Sequence, residues 1–142
     1  MKKIISLVTI TAILIASCTK NVNDPQNNNS NSSISNVVSR AFVVTNFTDN
    51  SSGVSQASIF SGYIFTFNAH STISAVKNGV TEEGSYLQKP SHEGEASKLT
   101  IAFVNAPLSE LNKQWQIDLL SNNAIHLSDD GNAKEVLQFE AK

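Results

Sequence analysis

From Val37 onward, apolar and polar residues alternate over short runs, and clusters of Asn, Gly, Ser and Pro break each run. Alternation of period two puts successive side chains on opposite faces of an extended chain, the pattern of a half-buried strand. Phe42-Val43-Val44-Thr45-Asn46-Phe47 reads as a first strand. Tyr63, Phe65 and Phe67 share one face of a second, with Ile64 and Thr66 on the other. A turn at Asn68-Ala69-His70-Ser71 leads to a third strand from Thr72 to Lys77. Asn78-Gly79 then marks a hairpin, because both residues accept the left-handed backbone of a two-residue turn. Gly84 to Gln88 forms a fourth strand, and Lys89 to Ser97, with Pro90 and Gly94, a polar loop. Leu99, Ile101 and Phe103 line a fifth strand, and Pro107 to Leu111 reads as a single helical turn. Trp115, Ile117 and Leu119 mark a sixth strand, Ile125 and Leu127 a seventh, and Val136 to Phe139 an eighth. Turns at Ser121-Asn122-Asn123 and Asp129-Asp130-Gly131-Asn132 separate these last three.

The pattern predicts an antiparallel all-β domain over residues 37–142. Eight sequential strands with short connections predict an up-and-down meander that curls into a small barrel and so leaves no exposed edge. A two-sheet β-sandwich is the competing architecture.

The N-terminal part has a different texture. Met1-Lys2-Lys3 precedes an apolar run from Ile4 to Ile15, followed by Ala16, Ser17 and Cys18. A basic start, an apolar centre and small residues before a break are the grammar of an export signal over residues 1–17. The centre is well short of the ~20 residues that span a bilayer as a helix. Ile15-Ala16-Ser17-Cys18 resembles the lipobox of bacterial lipoproteins, with Ile15 where leucine is commoner. That resemblance implies acylation of Cys18, which becomes the first residue of the mature chain and anchors it in a membrane. Thr19, rather than an aspartate, follows the cysteine, which by the same resemblance implies the outer membrane. An ordinary signal peptide, with Cys18 an incidental thiol, is the alternative. Residues 18–36 are Asn- and Ser-rich, too polar to offset their ordering entropy by burial, and read as a disordered tether.

The folded part resembles the lipocalin-like domains of small Gram-negative lipoproteins. The matching segments are Phe60-Ser61-Gly62-Tyr63-Ile64-Phe65-Thr66-Phe67-Asn68, Gly84-Ser85-Tyr86, Leu99-Thr100-Ile101-Ala102-Phe103, Leu108 to Ile117, and Leu137-Gln138-Phe139. Lipocalins usually carry Gly-x-Trp in the first strand. Here Ser39-Arg40-Ala41-Phe42 stands in that place, and Tyr86 follows the fourth-strand glycine where related domains often have tryptophan. The resemblance implies an envelope binding or structural module rather than an enzyme.

Charge and chemistry narrow the classes further. Without residues 1–17, ten basic residues become eight against twelve acidic, a net charge near −4. No clustered basic footprint points to nucleic acid. Membrane attachment then rests on acyl chains at Cys18, each buried methylene contributing ~0.8 kcal/mol. With one cysteine there is no disulfide framework. His70, His92 and His126 lack the close spacing of a zinc site. Glu82-Glu83 face opposite ways on a strand and do not converge for acid and base work. Asp129-Asp130-Gly131-Asn132 lacks the spaced acids of a calcium loop. No serine stands in a Gly-x-Ser-x-Gly elbow. No catalytic residue and no cofactor is therefore assigned. The remaining candidates are Tyr63, Phe65, Phe67 and Trp115. In a barrel these point inward, either to fill the core or to line a pocket for a small apolar ligand. The other reading is an interaction lipoprotein with a filled core, meeting an envelope partner through loops 48–59 and 89–97.

Overall fold

The structure is a computed structural model that describes residues 33–48, 53–129 and 132–142, with side chains of 132–134 excepted. Eight strands follow in order: β1 (Ala41–Thr48), β2 (Ile64–Phe67), β3 (Thr72–Lys77), β4 (Val80–Lys89), β5 (Lys98–Ala102), β6 (Lys113–Leu120), β7 (Ala124–Asp129) and β8 (Asn132–Ala141). Each pairs antiparallel with the next, and β8 returns to β1 from Ala141 opposite Phe42 to Val136 opposite Thr48. The meander is a closed barrel, so every strand has a neighbour on both sides. This is the closed form of the predicted architecture, not the sandwich. At Asn78-Gly79, φ values of 52° and 77° make the two-residue turn, with Lys77 paired to Val80.

The alternation fails where a strand carries an extra residue. In β6 the pairing with β7 slips between Ile117 and Leu119. A bulge moves every later side chain to the other face. Trp115 is buried as predicted, but Leu119 is 42% exposed and Leu120 takes the inward place. The register of β1 against β8 also shifts, between Val44 and Asn46, so Phe42 and Phe47 are both buried although five positions apart. Strand β4 is longer than its apolar pattern indicates and begins at Val80, where the tight turn starts its ladder with β3.

Three short 3-10 turns close the barrel's ends: Ile34–Val37, Ala57–Phe60 and Leu108–Leu111. The first brings Ile34 and Val37 into the core cluster, with the Ile34 N–H donating to Gln88 Oε1 at 2.7 Å. Ile34 falls inside the stretch read as tether; its buried side chain makes Ser33 onward part of the domain, while residues 18–32 lie outside the described residues. This end, where the chain enters from the stretch that the sequence reads as a tether, takes the name tether end. At the far end Phe60, Leu108 and Leu111 join the same core. Gly84 lets β4 and β5 close there. A Cβ at that position would sit 2.5 Å from Ala102 O and 2.7 Å from a Phe103 ring carbon.

Candidate functional site

Strand β2 and the residue before it supply three of the four aromatic candidates, because alternation aims Tyr63, Phe65 and Phe67 into the barrel, where Phe65 and Phe67 are wholly buried. Their rings meet others at 5.3–6.4 Å between centroids. Phe65 stands edge-on to Phe60, Phe103 and Phe139, and Phe67 to Phe42, Tyr86 and Phe139. Tyr63 lies 6.1 Å from Phe65 in a tilted arrangement. Edge-to-face pairs of this kind add about 0.5–1.5 kcal/mol beyond area burial. Trp115, on β6, is buried too, and its Nε1–H donates to Leu111 O at 3.1 Å, tying the third 3-10 turn to the wall. Phe60 and Phe47 complete the cluster, 5.3 Å apart. Sequence reasoning missed Phe60 as an interior ring, since it lies in a turn with no alternation to mark it.

Polar groups gather around the far end. The Tyr63 hydroxyl donates to Glu82 Oε1 and the Asn105 amide to Glu82 Oε2, each at 3.3 Å. The Lys77 ammonium stands 4.8 Å above the Tyr63 ring. Burial, and then the neighbouring Glu82 charge and its hydrogen bond, push the Tyr63 phenol above its ordinary range. Further round the rim, Lys113 pairs with Asp129 at 3.0 Å and with Glu135, and lies 5.3 Å over the Trp115 ring. At the tether end the Tyr86 hydroxyl donates to Asn68 O at 2.8 Å, and burial raises that phenol as well.

The remaining sequence candidates stay apart. His70 and His92 lie on exposed loops, and His126 faces outward with Nε2 2.9 Å from Glu140 Oε1. Glu82 turns toward the rim while Glu83 is exposed on the other face. Among the described residues no three His, Cys, Asp or Glu side chains group as metal ligands. Cys18, the signal segment, residues 49–52 of the first loop, and Asp130 and Gly131 lie outside the described residues.

No protein-family model matches the chain, and no curated protein matches it. Among solved structures it is similar to a DUF4847 family protein from Bacteroides vulgatus ATCC 8482. The two are 18% identical over 75% of this chain and 95% of that one, with a TM-score of 0.49.

Proposed function

We propose that the protein is a lipid-anchored module of the cell envelope, in the outer membrane, whose lipocalin-like barrel is non-catalytic and works by binding an envelope partner through its loops. The observation that carries this reading is the interior. Phe42, Phe65, Phe67 and Phe139 are buried ring against ring, and turns with buried side chains cover both ends. A long acyl ligand would have to displace that packing, and native cores hold few voids. The anchor rests on the lipobox-like Ile15-Ala16-Ser17-Cys18 and the polar stretch that follows it.

The anchor is tested by fractionation. The intact protein should partition with membranes and Cys18→Ala should release it, while mass spectrometry finding an unmodified Cys18 at the mature terminus would remove the reading. The interior is tested by Trp115 fluorescence. Titration with a long-chain fatty acid should stay flat, and a saturable response below micromolar concentration would overturn the filled core.

A further inference from the structure

Six large apolar residues are exposed among those described, and four of them lie at the far end: Val54, Ile59 and Val104 in connections and Val80 at the start of β4. Scattered exposed aliphatics need no explanation, but collection at one end of a barrel does. Val80 opens β4 at the tight turn, on the same strand face as Glu82 and Gly84, and is 65% exposed. Val104, 88% exposed, lies in the β5–β6 connection, which the Asn105–Glu82 hydrogen bond ties to the start of β4. Ile59 sits in the second 3-10 turn, and the Gln56 N–H donating to Phe47 O at 2.6 Å folds that connection back on β1.

Charge is divided along the same axis. The far end carries Glu82, Glu83, Glu110, Asp129 and Glu135 against Lys77 and Lys113 among residues whose side chains are described. The tether end carries Arg40, Lys89, Lys98 and Lys142 against Glu93, Glu95 and Glu140. The first described residues, Ser33 and Ile34, lie at the tether end, so the far end is the end of the barrel opposite the N-terminal attachment. An acidic rim is repelled by anionic lipid and complements a basic protein surface.

We infer that the far end, resting on the lipid-anchored reading above, is a docking face for an envelope protein that is apolar at the centre of its contact and basic at the edge. Val80 and Val104 supply the apolar centre, and Glu83 and Glu110, both exposed, supply the acidic margin.

The test places a photo-reactive residue at Val80, Val104 or Leu87 of the full-length chain in its native host. Val80 and Val104 should yield one and the same protein adduct, and Leu87, on the outer wall, none. That protein, purified, should bind the full-length chain about ten-fold more weakly after Glu83→Lys with Glu110→Lys, with the difference shrinking as salt rises, while Glu93→Lys at the tether end leaves binding unchanged. An adduct with a second copy or with lipid, equal labelling from Leu87, no adduct, or indifference to charge reversal would each overturn the inference. Repeating the experiment with Cys18→Ala separates the two readings. An adduct that persists supports the docking face whatever the anchor, and a membrane-bound wild-type chain without an adduct removes the docking face alone.

Discussion

At the residue scale, Gly84 is demanded by its neighbours rather than by its own backbone angles. A methyl there meets the Ala102 carbonyl oxygen and the Phe103 ring well inside contact distance, and the carbonyl cannot move without its strand. Gly84→Ala should therefore cost about 1–3 kcal/mol, read as a lower urea midpoint with unchanged slope. The two raised phenols make a second case. Burial favours the neutral form of Tyr63 and Tyr86, so each holds its proton in the folded state at a pH where the unfolded chain has begun to release it. Their contribution is fully present below the unfolded value near 10 and is lost as pH rises through the higher folded values. Thermal stability should decline above about pH 10, in step with phenolate absorbance, and Tyr86→Phe should reduce that decline.

At the scale of elements, the bulge in β6 decides which leucine matters. Plain alternation from Trp115 puts Leu119 inside; the slip after Ile117 puts Leu120 there instead. Leu120→Ala should cost about 2–3 kcal/mol, whereas Leu119→Ser should stay within about 0.5 kcal/mol. Equal effects in denaturant titrations would mean that the strand runs without the bulge. The period-two pattern made the element legible, as it did for β2 and β3. The bulge was not legible, because no residue type in Ile117-Asp118-Leu119 demands an extra position; pairing with β7 does.

At the scale of the molecule, closure of both ends makes a single core. Ile34 is the first residue of that closure, separated in sequence from the alternating strands and surrounded by Ser and Asn. In the full chain Ile34→Ala should lower stability by about 2 kcal/mol in chemical unfolding, while Ser35→Ala, on the exposed side of the same turn, should change it little. An indifferent Ile34 would return this residue to the tether.

The sequence alone determined the class, because period-two burial and turn chemistry are local. Tyr63, Phe65 and Phe67 had to share a face, and Asn78-Gly79 had to turn. It also marked Cys18, through the order of basic, apolar and small residues before it. The tertiary structure decided what depends on contacts distant in the chain. It joined β1 to β8, so the sheet closed. It packed Phe60 from an irregular segment against Phe65, making the aromatic candidates an interior rather than separate strand faces. It also brought Val80, Val104 and their acidic neighbours to the end opposite the tether, a placement that follows only once eight strands have been ordered around one axis.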